Sequence, residues 1–182
     1  MREEDIRIKL TQDIVESYSV FFKKNYPRKK NIIEKATLPS WNFIINMTPQ
    51  ARNNYKHKLE DFFVYFIETV GYKDYAISEC DVEVVVTKPT KRARDVDNVS
   101  YKSCFDGFVK AGLFCEDNDS VIKSLKTSIR YEKDVEKVEF IFTNVKTDGE
   151  LLEINQIKQM TKDMKRESTM AEKKKTKRKK KK

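Results

Sequence analysis

With 182 residues, 38% of them hydrophobic and 37% charged, the chain has room for one modest core under a heavily ionised surface, and not for two full domains. The net charge of +9 has a local origin: residues 173–182 read KKKTKRKKKK, and setting aside their nine bases leaves 29 Lys and Arg against 29 Asp and Glu. The longest apolar run, Phe62 to Ile67, is too short to span a bilayer, and the opening MREEDIRIKL lacks the apolar stretch of a secretory signal.

In chain order, Thr11 is a candidate cap for a helix whose apolar residues Ile14, Val15, Tyr18, Phe21 and Phe22 share one face. The Pro27 segment ends it. Ile32 to Leu38 reads as a short strand leading into a turn at Pro39-Ser40, and Trp41 to Met47 as strand or extended loop. Thr48-Pro49 is a helix start, a hydroxyl to accept early N–H groups and then proline at the first helical position. Tyr55, Leu59, Phe62, Phe63, Phe66 and Val70 then recur at helical spacing until Gly71, and the period marks this aromatic stripe as core. Asp81 to Thr87 (DVEVVVT) is a β-branched strand closed by Pro89.

A helix is expected from about Asn98 to Ala111, with Tyr101, Phe105, Phe108 and Val109 inward and Gly112 at its end. Val121 to Tyr131 and Val138 to Asn144 read as strands joined by a turn at Lys133 to Glu136. Glu150 to Met164 reads as an amphipathic helix. The tail beyond Ala171 carries no apolar residue, so on its own it is expected to be disordered. The expected fold is α+β, a mixed sheet with helices packed on it, built on a β-α-β-α-β-β core with an extra helix at each end and an antiparallel pair at its close. The expected divisions are an N-terminal helical extension over residues 1–30, a central domain over 31–147, a C-terminal helix over 148–168 and a Lys-rich tail over 169–182.

Chemistry concentrates in Arg92-Ala93-Arg94-Asp95-Val96-Asp97-Asn98, followed by Lys102, Asp106 and Glu116-Asp117. In an extended chain, residues two apart point the same way, so Asp95 and Asp97 present both carboxylates on one side. Adjacent unneutralised acids repel and raise each other's pKa unless a cation lies between them. Mg²⁺ suits that position, since it takes oxygen ligands, usually one or two carboxylates. The competing reading is that Asp95 or Asp97 caps the following helix, worth about 1 kcal/mol, and that Glu116, Asp117 and Asp119 form a solvated turn. The basic residues Lys88, Lys91, Arg92 and Arg94 suit phosphate contact or the solubility of an exposed loop. Cys80, Cys104 and Cys115 are not closely spaced and have one histidine, His57, for company, so they read as reduced, mostly buried thiols, not a zinc site.

The string DVDN, then Lys102, Phe105-Asp106, Ala111-Gly112 and the Glu116-Asp117 pair ahead of Val121, resembles the pattern of RusA-type Holliday-junction resolvases. Pro39-Ser40-Trp41-Asn42 and the helix beginning at Thr48-Pro49 fall in the same order, so the similarity covers roughly residues 31 to 145. The resemblance implies that Asp95, Asp97 and Asp117 hold a divalent metal, Mg²⁺ with Mn²⁺ as a substitute, that Lys102 is catalytic and that Asp106 lies beside the site. Two positions depart from the pattern. Glu116 replaces the first Asp of the D-D pair, and Lys102 follows Asp97 by five residues where the pattern has four. One extra helical residue turns a side chain by about 100°, so Lys102 reaches the site only if its helix begins late.

The implied activity is Mg²⁺-dependent resolution of four-way DNA junctions by paired nicking in recombination and repair. The implied protein is a homodimer in the cytoplasm of a bacterial or phage-infected cell, with Lys88, Lys91, Arg92 and Arg94 on DNA phosphates and neither a membrane nor a small-molecule cofactor involved. A nuclease selective for flaps or forks, and a non-catalytic nucleic-acid-binding or architectural protein, are the competing functions.

Overall fold

The computed structural model describes residues 5–91 and 98–151. The calls on Arg92, Arg94, Asp95 and Asp97, on most of the 150–164 helix and on the Lys-rich tail therefore lie outside the described residues. The chain divides into two compact units, Met1–Thr147 and Asp148–Lys182. Of the second, residues 149–151 open a helix, with Asp148 Oδ1 accepting from Leu151 N–H at 2.9 Å.

The first unit is α+β. Its order is β1 (Ile6–Leu10), α1 (Gln12–Asn25), α2 (Trp41–Ile45), α3 (Pro49–Thr69), β2 (Ile77–Lys88), α4 (Lys102–Lys110), β3 (Ile122–Tyr131) and β4 (Lys137–Thr147). The four strands form one mixed sheet in the order β1-β4-β2-β3. β4 runs antiparallel to both β1 and β2, while β2 and β3, joined through α4, run parallel. A parallel pair needs a crossover of this kind, because a short turn cannot return the chain to the same end of the sheet.

Alternation along the strands selects the core. Ile6, Ile8 and Leu10 of β1, Cys80, Val82, Val84 and Val86 of β2, and Val138, Phe140 and Phe142 of β4 are all buried. Several intervening positions carry charge, as in the Lys9–Glu139 and Lys126–Glu83 ion pairs, although Val85 and Thr87 of β2 are buried as well. Phe62, Phe63 and Phe66 of α3 and Phe108 of α4 are fully buried, and Phe108 stands edge-on to Phe140 with ring centroids 5.1 Å apart. α1 joins the same core, since Tyr18 meets Phe62 edge-on at 5.0 Å. Residues expected as an N-terminal extension thus supply an edge strand and a packed helix.

Several expectations change. Ile32 to Leu38 is not a strand. Its buried residues Ile33, Ala36 and Leu38 are spaced irregularly, and local bonds such as Asn31 Oδ1 to Ile33 N–H at 3.0 Å satisfy the backbone. The first strand is instead Ile6–Leu10, so three helices, α1, α2 and α3, separate the first two strands where one was expected, and the helix expected as an N-terminal extra lies inside the order. Trp41 to Met47 begins as the short helix α2, whose Ser40 hydroxyl accepts from Phe43 N–H at 3.2 Å. The last two strands do not pair with each other, because β2 lies between them. Their connection wraps the end of β2, where Glu132 N–H donates to Lys88 C=O at 3.1 Å. α4 starts at Lys102 instead of Asn98, since the preceding residues pair elsewhere: Ser100 N–H donates to Pro39 C=O at 2.9 Å.

α3 and α4 approach closely at Gly107. A Cβ there would lie 2.6 Å from Phe63 Cβ and 3.1 Å from Glu60 O. Gly107→Ala is therefore expected to destabilise the fold by about 1–3 kcal/mol, reversing the usual gain from alanine in a helix. Chemical denaturation of the two proteins measures it.

Candidate functional site

Two backbone devices bring the polar residues together. At the first, α4 stops at Gly112, whose φ of +75° and whose approach to Asp74 leave no room for a side chain. The chain after it then lies against the start of β2: Ala76 N–H donates to Gly112 C=O at 2.8 Å, Ile77 N–H to Leu113 C=O at 2.8 Å, and Cys115 N–H back to Ile77 C=O at 2.9 Å. The turn that follows is closed by Asn118, whose side chain accepts from Ser120 N–H and whose carbonyl accepts from Val121 and Ile122. Asp117 is thereby fixed between two braced segments.

The second device acts ahead of α4. Asn98 Oδ1 accepts from Asn42 N–H at 3.0 Å, and Val99 bridges Ser40, so the chain entering α4 is tied to the start of α2. Tyr101 caps α4, and its hydroxyl bonds Thr127 of β3. The late start turns Lys102 toward the loop. Its Nζ lies 2.9 Å from Asp117 Oδ2 and 3.0 Å from Asp106 Oδ1. With α4 beginning at Lys102, the lysine at its first position meets Asp117.

The cluster extends to a residue that sequence reasoning missed. Lys56 of α3 pairs with Asp106 Oδ2 at 3.0 Å and with Glu60 Oε1 at 3.6 Å. Asp106 thus sits between two ammonium groups. Burial works to raise its carboxyl pKa, but the hydrogen bond from Lys102 and the ion pair with Lys56 outweigh that and hold it below the ordinary value. Hydrogen bonds to Asp117 and Asp106 push Lys102 up to about 12, and the bond to Asp106 likewise raises Lys56. Lys102 is therefore a permanent cation at physiological pH and not a proton acceptor. The only sequence signal for Lys56 was its i,i+4 spacing to Glu60, which many solvent-facing helices share.

The other expected site residues separate. Glu116 is exposed at the turn. Lys91 is exposed and stands 5.3 Å above the Tyr131 ring. Lys88 is not available as a free DNA contact: its ammonium bonds the Thr37 hydroxyl and Glu136 at 3.2 Å, with the side chain only 13% exposed. It ties the 31–38 segment to the loop that wraps β2. Cys80 and Cys104 are buried in the core, and burial raises both thiols. Among the described residues, no three His, Cys, Asp or Glu side chains come close enough to hold a metal, and no helix is long and apolar enough to cross a membrane. The carboxylates of Asp117 and Asp106 are hard oxygen donors of the kind Mg²⁺ accepts.

No protein-family model matches the chain, and no curated protein matches it significantly.

The sign of the pH dependence follows from the cluster. A depressed carboxyl stabilises fully above the unfolded value, 3.8 for Asp106, and loses that contribution as pH falls through the folded one. A raised ammonium stabilises below its unfolded value, 10.5 for Lys102, and fails as pH climbs toward about 12. Asp106→Asn is expected to cost about 1–2 kcal/mol at pH 7 and to flatten the loss of stability as pH falls below the unfolded value of 3.8, read from melting curves taken on both sides of it.

Proposed function

We propose that the chain is a Mg²⁺-dependent, structure-selective endodeoxyribonuclease of RusA type. In this reading it resolves four-way DNA junctions by paired nicking, as a homodimer in the cytoplasm of a bacterial or phage-infected cell. The observation that carries the reading is the 2.9 Å contact between Lys102 and Asp117. These residues are fifteen apart in the chain and belong to different parts of the D-x-D-N, lysine, D-D pattern. A shared site built from that pattern requires such a meeting.

In this reading Asp95, Asp97 and Asp117 hold the cation. When bound, Mg²⁺, or Mn²⁺ in its stead, supplies Lewis acidity at the scissile phosphate. Lys102 stays protonated and neutralises charge that builds on the phosphate as water attacks. Asp106, held by Lys56, keeps Lys102 pointed at that phosphate. Lys91, Arg92 and Arg94 contact neighbouring phosphates and orient the DNA without reading its sequence. Two such sites in a homodimer nick opposing strands.

One observation favours a non-catalytic nucleic-acid-binding protein instead: Lys102 already neutralises Asp117 and Asp106, as a purely structural ion-pair cluster would. Cleavage decides between them. Labelled four-way junctions, flaps, forks and linear duplexes are incubated with and without Mg²⁺. The nuclease reading expects symmetric nicking of the junction that needs the metal. Asp95→Asn and Asp117→Asn should each lower the rate at least about 100-fold while junction affinity stays within a few-fold. Binding without nicking under Mg²⁺ or Mn²⁺ would favour the non-catalytic protein, and faster cleavage of flaps or forks would move the substrate class.

A further inference from the structure

The exposed side of α1 carries a pattern that its packing in the core does not use. Val15, Tyr18 and Phe22 are buried, whereas Asp13, Ser17, Val20, Phe21 and Lys24 stand in solvent. Val20 is 71% exposed and Phe21 42%. At about 100° per residue, Asp13, Ser17, Val20 and Lys24 fall within about 60° of one another, so they form one stripe along the helix. Their spacing of four, three and four residues is that of a coiled-coil seam. Phe21 borders the stripe and packs on Tyr65 of α3 with centroids 4.9 Å apart, and the Tyr65 and Ser17 hydroxyls bond at 2.6 Å. The stripe is thus presented on a fixed support.

The order of residue types along the stripe selects the occupant. It begins with an acid, has its apolar residue near the middle and ends with a base. The helix dipole favours an acid in the first turn and a base in the last, but it gives no reason to leave a valine in water between them. A second copy of the same helix, laid antiparallel, does. With a two-fold axis midway between Ser17 and Val20, Asp13 of each copy faces Lys24 of the other, and each Val20 faces the small Ser17 opposite. Among the described residues neither Asp13 nor Lys24 has an ion pair, so both are available. A phosphate surface fits less well, since it would meet Asp13 and Glu16, exposed on the same side.

We propose that this stripe is a self-association surface, on which two copies of the chain pair through antiparallel α1 helices. The two-fold pairing uses the same patch on both copies, so it closes at a dimer. The inference supplies an interface for the homodimer of the nuclease reading and rests on that reading only for what the dimer does. α1 lies outside the residues that carry the family resemblance, so the pairing is argued from the helix itself.

Sedimentation of the full-length protein over a concentration series, without DNA or divalent metal, tests the pairing. A monomer–dimer equilibrium is expected. Val20→Ser should weaken the dimer by about 10- to 100-fold. Asp13→Lys or Lys24→Asp alone should weaken it by about 2- to 30-fold, since each removes two exposed ion pairs. Circular dichroism checks that each variant keeps the fold. In a mixed dimer of Asp13→Lys with Lys24→Asp, both facing positions again hold a lysine against an aspartate. Equimolar mixing should therefore restore the wild-type affinity, which a damaged fold could not do. A chain that stays monomeric, a dimer indifferent to the three substitutions, or variants that stay apart on mixing would each overturn the surface. An α1-dependent dimer without metal-dependent junction cleavage removes the nuclease reading and keeps the interface; junction cleavage by a dimer that ignores these substitutions does the reverse.

Discussion

The contact of α3 with α4 at Gly107 sets the geometry on which the rest of the structure depends. With no side chain at that point, the helices approach until Phe63 and the Glu60 backbone fill the space a methyl would take. The approach lets Phe108 reach Phe140 and Phe63 at once, closing the core over the sheet. On the solvent side of the same seam it brings Lys56 of α3 within 3.0 Å of Asp106 of α4. Core packing and the polar cluster are two sides of one helix contact, so a change in helix spacing would move both.

The site adds a second constraint, which comes from the sheet. Asp117 stands where it does because the chain leaving α4 must cross to β3, parallel to β2, and is stitched to the start of β2 on the way. A parallel pair forces a crossover, the crossover has a helix at its front, and the helix start carries Lys102. The meeting of Lys102 with Asp117 is thus a consequence of β-α-β topology joined to a left-handed stop at Gly112.

Much of this was legible before any coordinates. The α3 stripe could be read as core because Phe62, Phe63 and Phe66 follow the helical period, and β2 because its valines leave little alternative. Gly112 could be read as a helix stop. Other features failed for physical reasons. Ile32 to Leu38 has strand-like composition, but Ile33 N–H and Thr37 N–H bond to Asn31 and Lys35, Glu34 C=O accepts from Gln12, and the segment joins none of the described strands. The last two strands looked like a hairpin because local sequence cannot show that β2, some fifty residues earlier, takes the place between them. The start of α4 was misread because Asn98 and Ser100 bond to Asn42 and Pro39, contacts made at long range. That misreading also decided the expectation for Lys102, since the angle of a side chain at a helix start depends on which residue begins the turn. Lys56 was invisible because nothing in α3 alone tells which of its exposed residues face a second helix.

The charge distribution explains why such a cluster is arranged as it is. The chain outside residues 173–182 carries equal numbers of acids and bases, so it has no net field to draw in a polyanion. Under the proposed function, attraction of DNA comes from local imbalance in the sequence: the basic residues before the acidic string, and the tail. Carboxylates gathered on such a surface would repel phosphate if left bare. Lys102 and Lys56 neutralise Asp106 and Asp117 while leaving Asp117 partly exposed, 26% at the side chain, so the acid remains reachable by a cation from solvent. An ammonium held by hydrogen bonds at 2.9 and 3.0 Å is also spared most of the reorganisation that a free lysine would undergo on meeting a phosphate. The same ion pairs that stabilise the α3–α4 seam therefore keep a cation aimed at the turn bearing Asp117, and stability and pre-organisation are served by one set of contacts.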